Sequence, residues 1–440
     1  MAKSLLVEGG TPLIGNVKLS GSRLSAQNVV AGALYSTEDV ILENVPQSQN
    51  TLSDLEMLKS LGIKAEWVGS NRLVINASGF SESEIPPSGR KSRLTLYLVA
   101  PLLYRFGKAT LPMPDYLSFG WPSINRWIET WQSLGIEVLE DGNQLHLRIN
   151  KLEGTHINFR TSTYRGTCNA ILSALSVPGE TVITNAAEEP EVDDLIAFCN
   201  VIGGNVMRTE SRKLTITGSH VFNGGYFELQ PDRTEAAVFA VGALVTNGNV
   251  TIKNVTKNHL GAFVSVLTRI GARYEFFGEE LRVWRAGEQL SATTVTTMPF
   301  PGFSSDWQAL TTLLLTKAEG ESLVHDTINT NRFGFTKELN IMGAKIELVR
   351  PSDVGQVAVI SDDAYDFAKL GEPYTVAKVQ GTTRLKGSKI NITETYSDAT
   401  LLLAALSAEG KSELNDFEHI TNNYEHLLDK LSALGAILKP

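Results

Sequence analysis

The chain has 440 residues, 42% of them hydrophobic and 20% charged, and its 39 Lys and Arg against 48 Asp and Glu leave a formal net charge of −9. This composition is typical of a folded protein of two or three domains and excludes a disordered or collagen-like chain. The negative charge argues against a general nucleic-acid-binding protein, which needs a basic face to neutralise phosphates.

One sequence pattern recurs along the whole chain. It consists of an apolar helix, a short strand, a second helix that ends in a glycine, and a strand pair. A glycine after a helix favours the left-handed conformation that ends it, and six such ends at similar spacing indicate a repeated unit. The glycines are separated by 73, 68, 68, 72 and 92 residues and are Gly62, Gly135, Gly203, Gly271, Gly343 and Gly435. We interpret the unit as βαβαββ.

The first helix of each unit is apolar on nearly every side, as residues 401–406 show. Such helices require burial within a group of units, so we predict three units per domain, with helices inside and sheets outside. In chain order, these helices are predicted over residues 26–35, 94–106, 170–176, 236–245, 307–318 and 399–408. The strands that follow them are predicted over residues 40–44, 109–112, 181–185, 250–254, 322–326 and 412–416.

The two ends of the chain have complementary patterns. The sixth unit stops at Pro440 without its closing hairpin, and residues 4–19 have strand character without a helix of their own. We expect residues 4–19 to complete the sixth unit, so that the chain crosses twice between domains. The predicted domains are residues 1–20 with 231–440, and residues 21–230. The alternative, a one-dimensional solenoid, would normally have capping units with a polar outer face.

Several local blocks, together with the six units, resemble the enolpyruvyl transferase family, most of all its branch that uses UDP-N-acetylglucosamine. They are residues 19–23, the loop after residue 107, 185–191 (Asn-Ala-Ala-Glu-Glu-Pro-Glu), 231–235 (Pro-Asp-Arg-Thr-Glu), 303–306 and 331–333. The resemblance covers the whole chain and implies an α/β (α+β) fold, a two-domain inside-out α/β barrel of six βαβαββ units. It also implies small-molecule partners and no cofactor or metal.

In that family the two domains close over phosphoenolpyruvate and an acceptor hydroxyl. The enolpyruvyl group is transferred by addition and then elimination of phosphate. The chemistry requires cations that hold a phosphate and a carboxylate, a base for the hydroxyl proton and an acid for the methylene carbon. Asp306 lies where the family has its general base, although Asp398 has the same place in the sixth unit and an Asp there can simply cap a helix.

Other family positions carry a matching residue type. Arg93 and Arg332 match family arginines of the cleft, with a solvated surface arginine as the alternative. Asp232, Arg233 and Glu235 match the hinge and the floor of the cleft, where an interdomain salt bridge would explain them equally well.

The donor site departs from the family pattern. Arg23-Leu24 replaces a Lys-Asn pair. The mobile loop, at about residues 112–125, has Leu117 in place of a reactive Cys or Asp, which leaves Asp115 as the candidate. Pro122 replaces a loop arginine, with Arg126 four residues further on.

The C-terminal region and the nucleotide site depart from the family pattern as well. Glu394-Thr395-Tyr396 replaces a family Asp-x-Arg and makes Glu394 a catalytic candidate. Asn422 replaces the last arginine that binds phosphoenolpyruvate, and Tyr164-Arg165 lies in the stretch that contacts uridine. Each charge-assisted contact contributes about 1.5–3 kcal/mol, so these losses should weaken binding of the donor.

Three functions remain open on this basis. The first is enolpyruvyl transfer to UDP-N-acetylglucosamine or a related nucleotide or sugar. The second is different chemistry on a nucleotide-like ligand, and the third is ligand binding without catalysis. The chain has no P-loop, HExxH or CxxC motif. No apolar run approaches the length of a membrane span, no signal-peptide core is present, and two cysteines make no disulfide framework, so we expect a cytoplasmic protein.

Overall fold

The computed structural model describes residues 4–115, 124–361, 365–392 and 397–439, apart from the side chains at 419 and 421. The chain divides into two compact units: Met1–Ser20 with Pro231–Pro440, called unit 1, and Gly21–Gln230, called unit 2. Each unit has its own hydrophobic core. Among the described residues, none of the helices has the length and hydropathy required to cross a lipid bilayer.

Helices and strands are interspersed along the described chain. The α-helices are α1 (Arg23–Ala33), α2 (Gln49–Ser60), α3 (Val99–Phe106), α4 (Asn125–Ser133), α5 (Tyr164–Ala174), α6 (Pro190–Val201), α7 (Arg233–Val245), α8 (Gly261–Arg269), α9 (Gln308–Leu315), α10 (Thr336–Ile341), α11 (Phe367–Leu370), α12 (Asp398–Ser407), α13 (Glu418–Asn423) and α14 (Leu427–Ala433). The strands are β1 (Ser4–Glu8), β2 (Ile14–Lys18), β3 (Val40–Glu43), β4 (Lys64–Trp67), β5 (Leu73–Asn76), β6 (Lys108–Pro112), β7 (Ile136–Asp141), β8 (Gln144–Ile149), β9 (His156–Asn158), β10 (Glu180–Thr184), β11 (Asn205–Glu210), β12 (Lys213–Thr217), β13 (Gly225–Glu228), β14 (Asn249–Lys253), β15 (Arg273–Phe277), β16 (Glu280–Trp284), β17 (Leu290–Ser291), β18 (Thr294–Thr296), β19 (Ala318–Glu319), β20 (Glu321–His325), β21 (Lys345–Val349), β22 (Val376–Gln380), β23 (Lys389–Asn391), β24 (Lys411–Asn415) and β25 (Ile437–Lys439).

The helices predicted to be apolar all round form the interior of each unit. In unit 1, α7, α9 and α12 pack on one another, and every residue of α7 and α9 is buried. In unit 2, α5 packs on α3 and on α6, and α6 packs on α1. In α7, α9 and α12 most side chains are apolar, so a place inside the unit is the one that suits them. The sequence prediction of buried helices with sheets around them is confirmed.

Each unit has three sheets of related topology. In unit 1 the strand orders are β15-β16-β14-β2, β18-β20-β22-β21 and β23-β24-β1-β25, with a small β17-β19 pair. In unit 2 they are β13-β3-β5-β4, β6-β8-β7 and β11-β12-β10-β9. Each four-stranded sheet combines one parallel pairing with antiparallel neighbours, for example β13 with β3 and then β3 with β5. This is the βαβαββ unit predicted from the repeat.

Strands near the two chain crossings belong to different units from the helices that follow them. β2 precedes α1 in the chain, yet it pairs in parallel with β14 of unit 1. β13 precedes α7, yet it pairs in parallel with β3 of unit 2. β1 pairs antiparallel with both β24 and β25, so the first part of residues 4–19 completes the sixth repeat, as expected. The expectation was wrong for the second part, because β2 joins β14 in the sheet of the fourth repeat.

Two predicted helix starts need correction, and the longest glycine spacing has a structural explanation. Residues 94–98 form turns, so α3 begins at Val99 rather than near Arg93. The helix predicted to begin at 170 begins at Tyr164, because Thr163 caps it by accepting a hydrogen bond from Gly166 N. The spacing of 92 residues before the last glycine arises between β21 and β22, where residues 350–375 replace the short turn found in other units. This segment exposes Val357, Phe367 and Leu370.

Candidate active site

A carboxylate and a guanidinium lie together before α9 of unit 1. Asp306 is in the short 3-10 turn Ser305–Trp307. Its N–H donates a hydrogen bond to the hydroxyl of Ser304, the cap of this turn, at 3.3 Å. Nη1 and Nη2 of Arg332 donate to Oδ1 of Asp306 at 3.3 and 3.2 Å. The side chains of Asp306 and Arg332 are 28% and 16% exposed. A partly exposed carboxylate can accept a proton from a ligand hydroxyl, and the structure brings these two sequence-predicted residues together.

Asp232 and Arg233 begin helix α7. The carboxylate of Asp232 caps the helix by accepting hydrogen bonds from the backbone N–H groups two and three residues later, at 2.8 and 3.1 Å. The buried guanidinium of Arg233 lies 5.5 Å from the ring centroid of Phe300 and 5.3 Å from that of Trp307. Such cation–π contacts are attractive. Arg233 therefore packs against the turn that carries Asp306.

Glu235 belongs to a buried network within unit 1. Nζ of Lys430 lies 2.6 Å from Oε1 of Glu235 and 2.7 Å from the hydroxyl of Ser20. The N–H of Ser20 donates to Oε2 of Glu235 at 2.7 Å, and its hydroxyl donates to Glu425 at 2.5 Å. Burial raises the pKa of Glu235, and the charge of Lys430 offsets part of that increase. These contacts anchor Ser20, the last residue of unit 1 before the first crossing.

The sixth repeat uses its aspartate differently from the fifth. Oδ2 of Asp398 accepts a hydrogen bond from Nδ2 of Asn423 at 2.8 Å, and Oδ1 accepts one from the N–H of Ala399 at 2.6 Å. Asn422, the sequence candidate, is the half-buried neighbour of Asn423 in α13. Asp398 is therefore tied to α13, whereas its counterpart in the fifth repeat is paired with an arginine. Glu394, the other candidate of this region, lies outside the described residues.

Tyr164, at the start of α5, points its phenol into unit 2. Its hydroxyl accepts a hydrogen bond from Nδ2 of Asn28 at 2.7 Å, and the same amide lies 3.3 Å from Sγ of Cys168. Burial raises the pKa of both Tyr164 and Cys168 well above their usual values. The contacts of Tyr164 thus connect α5 with α1.

Arginines surround the loop that leads into α5. Nη2 of Arg126 donates to the hydroxyl of Thr161 at 2.5 Å, and Nη1 of Arg212 donates to the hydroxyl of Ser162 at 2.9 Å. Arg165 follows in the first turn of α5. Cations beside the N-terminal end of a helix create a positive potential that suits an anionic ligand. The sequence prediction missed Arg212, because it lies in the turn between β11 and β12 and belongs to no motif.

Arg23 and Arg93 belong to different elements of unit 2. Arg23 is the first residue of α1, directly after the cap Ser22. Arg93 lies near the buried carboxylate of Asp54 in α2, which accepts a hydrogen bond from Ser92 at 2.5 Å. Burial raises the pKa of Asp54 to about 7, although the hydrogen bond from Ser92 and the charge of Arg93 lower it. Asp54 is thus a buried acid in direct contact with the segment that carries Arg93.

The raised pKa of Asp54 predicts how stability depends on pH. Because the folded-state pKa is about 7 and the reference value is 3.8, the folded form holds a proton that the unfolded form releases, and stability falls as pH rises through this window. Asp54→Asn should therefore become more stable than the wild type as pH rises, by about 1–3 kcal/mol at pH 8. Urea unfolding at several pH values measures the difference. Asp193→Asn, at an exposed aspartate of α6, is the control, and an equal trend in both variants would contradict the assignment.

Asp115 ends the described part of the loop after β6. Its Oδ1 lies 2.7 Å from Nε of Arg90, and both side chains are 39% exposed. Leu117 and Pro122, which depart from the family pattern, lie outside the described residues. The carboxylate of Asp115 is thus paired with a cation of its own unit. Among the described residues, no group of His, Cys, Asp and Glu could hold a metal ion.

Comparisons with known proteins agree over nearly the whole chain. A family model for EPSP synthase (3-phosphoshikimate 1-carboxyvinyltransferase) matches residues 7–431. A UDP-N-acetylglucosamine 1-carboxyvinyltransferase of Legionella pneumophila is 33% identical over 437 residues, which cover 98% of this chain and 82% of the relative. One from Caldanaerobacter subterraneus subsp. tengcongensis is 31% identical over 436 residues, which cover 99% of this chain and 98% of the relative.

Two solved structures show that the fold is shared. The enolpyruvyl transferase NikO from Streptomyces tendae matches with a TM-score of 0.86 and 22% identity, over 100% of this chain and 99% of that one. EPSP synthase from Acinetobacter baumannii matches with a TM-score of 0.69 and 15% identity, over 99% of this chain and 100% of that one. The inside-out α/β barrel that the family resemblance implies is the fold of these proteins.

Proposed function

Because the chain belongs to the EPSP synthase family of enolpyruvyl (1-carboxyvinyl) transferases, we propose that it transfers the enolpyruvyl group of phosphoenolpyruvate to a hydroxyl of UDP-N-acetylglucosamine or a related nucleotide acceptor. The observation that carries the proposal is the contact of Asp306 with Arg332, at 3.2 Å, at the place of the family's general base. The relatives of 31–33% identity, named for UDP-N-acetylglucosamine, support the acceptor class.

The proposed reaction has two steps. In the addition, the carboxylate of Asp306 takes the proton of the acceptor hydroxyl. The oxygen of that hydroxyl bonds to C2 of phosphoenolpyruvate, and C3 gains a proton. In the elimination, C3 loses a proton, the C2–O bond to phosphate breaks, and phosphate leaves. Arg332 stays beside Asp306, with Nη2 3.2 Å from Oδ1, and holds the carboxylate in place.

The anionic groups of the substrates require several cations. We assign this role to Arg23, Arg93, Arg126 and Arg165, because guanidinium groups bind phosphates and carboxylates with paired hydrogen bonds. Asp115 is the candidate proton donor for C3, and it must first lose its contact with Arg90.

The test is release of phosphate from phosphoenolpyruvate in the presence of single acceptors. UDP-N-acetylglucosamine, UDP-glucose, UDP and UMP form a suitable series, and mass spectrometry identifies the acceptor that gains an enolpyruvyl group. We expect release only when both substrates are present. No release with any acceptor, together with no shift of the unfolding temperature by millimolar phosphoenolpyruvate, would contradict the proposal.

The same assay distinguishes a second candidate function, ligand binding without catalysis. Two replacements favour it: Leu24 stands where the family has a donor-binding asparagine, and Asn422 stands where it has an arginine. Under this alternative, a nucleotide sugar raises the unfolding temperature while no phosphate is released. Isothermal titration with phosphoenolpyruvate then shows no binding, because the lost contacts are those of the donor.

A further inference from the structure

The loop that carries Arg332 is anchored at its start by a buried carboxylate. Asp326 directly follows β20 and is fully buried. Its Oδ1 accepts hydrogen bonds from the hydroxyl of Thr297 at 2.9 Å and from the N–H groups of Ile328 and Asn329 at 2.9 and 3.1 Å. Oδ1 of Asp326 thus accepts hydrogen bonds from two segments, which fixes the start of the loop between β20 and Arg332.

Thr297, directly after β18, joins that loop to the segment that carries Asp306. Its hydroxyl donates to Asp326 and accepts from the N–H of Thr327 at 2.9 Å, while its carbonyl accepts from the hydroxyl of Thr327 at 2.5 Å. The next residue, Met298, donates its N–H to the carbonyl of Phe303 at 2.9 Å. Phe303 is followed at once by the turn of Asp306. The segments that carry Asp306 and Arg332 are therefore both held by the end of β18. Met298 bonds to the segment before Asp306, and Thr297 bonds to the loop before Arg332.

The equivalent position in other repeats has a different chemistry. Asn44 and Asn185 also follow the strand after the buried helix, and both have a positive φ, 59° and 55°. Their side-chain amides donate to backbone carbonyls just past the parallel neighbouring strand, those of Leu229 and Phe159. Asp326 is not in this left-handed conformation and accepts from a side chain instead. In the fifth repeat, a hydrogen bond from the Thr297 hydroxyl to the Asp326 carboxyl group thus takes the place of the hydrogen bond from an asparagine amide to a backbone carbonyl.

We propose that Thr297 and Asp326 are positioning residues for the proposed transfer reaction: through their hydrogen bond they hold Arg332 against Asp306. This inference rests on the proposed function. The charge of Arg332 also bears on Asp326 itself, since it offsets part of the pKa increase that burial causes. Arg332 itself contacts the turn of Asp306 through Oδ1 of that residue and through the hydroxyl of Ser305, 3.2 Å from Nη1. A displacement of about 1 Å at a reacting group can cost about 100-fold in rate.

The test removes the Thr297 hydroxyl without changing side-chain volume. Thr297→Val should lower kcat for phosphate release about 10–100-fold and leave KM for the acceptor within about threefold. Thr297→Ser keeps the hydroxyl and should restore kcat. Thr246→Val is the matched control, since Thr246 is another buried threonine of unit 1 whose hydroxyl donates to Gly242 O at 2.7 Å and accepts from Leu13 N at 3.2 Å.

The outcomes separate positioning from general stability. If Thr297→Val lowers the unfolding temperature as Thr246→Val does but keeps the wild-type kcat, the inference is overturned. Equal losses of kcat in both valine variants would overturn it as well. If Thr297→Val does not fold, Asp326→Asn takes its place, and an unchanged kcat in that folded variant overturns the inference. A wild-type protein that releases no phosphate would refute the proposed function itself, whereas an active wild type with an unaffected Thr297→Val refutes only the positioning role.

Discussion

Asp306→Asn should lower kcat for phosphate release by about 10²–10⁴-fold, the range that positioned general bases contribute. The amide is nearly the same size as the carboxylate and can still accept a hydrogen bond from Arg332, now 3.2 Å from Oδ1, so the turn should keep its conformation. The substituted side chain cannot take the proton of the acceptor hydroxyl. Steady-state assays with saturating phosphoenolpyruvate and acceptor measure the effect, and thermal shift by the acceptor checks that binding persists.

The matched control for this variant is Asp193→Asn. Asp193 is also paired with an arginine, Arg208, with Oδ1 2.6 Å from Nη2, and it is exposed on α6. Loss of an exposed pair of this kind changes stability by at most about 1 kcal/mol, and kcat should be unchanged. If Asp306→Asn retains wild-type kcat, another residue is the base. If it loses both kcat and acceptor binding, Asp306 is a binding residue and the proposed role is wrong.

Short sequence patterns, in which the residues lie close together in the chain, predicted the repeat correctly. All six helix-ending glycines have positive φ, from 75° at Gly271 to 102° at Gly435. A glycine adopts this conformation without the steric cost that a Cβ imposes, so its place in the sequence indicates where a helix ends. The apolar character of the inner helices follows from composition in the same way. Such features need no knowledge of distant contacts.

Features that depend on distant pairing were not predictable from one sequence. The pairing of β2 with β14 and of β13 with β3, the contact of Arg212 with Ser162 and the inward direction of Tyr164 all involve partners far away in the chain. Asp326 had been predicted only as the last residue of a strand, because Asn or Asp ends several of these strands. The family resemblance identified Asp306 and Arg332, but the support around them became visible only in three dimensions.

Lys430→Met should lower the free energy of unfolding by about 3–5 kcal/mol, the usual cost of removing one partner of a buried ion pair. The side chains of Glu235 and Lys430 are 2% and 18% exposed, and the ammonium group lies 2.6 Å from the carboxylate. Without it, Glu235 keeps only the N–H of Ser20 among these contacts and remains buried. Urea unfolding followed by fluorescence and circular dichroism measures the loss.

The pH dependence and a double variant show whether the ion pair is the cause. Burial already raises the pKa of Glu235 above its value in the unfolded chain, so its contribution to stability is present in acid and is lost as pH rises. Removing the charge of Lys430 raises that pKa further, and the deficit of Lys430→Met should grow from pH 5 to pH 8. Glu235→Gln combined with Lys430→Met removes both charges and should recover most of the stability. A double variant as unstable as Lys430→Met would show that packing of the lysine stem matters instead. Full kcat in a stable double variant would mean that Glu235, despite its place in the family block, supports the fold at the crossing and does not bind substrate.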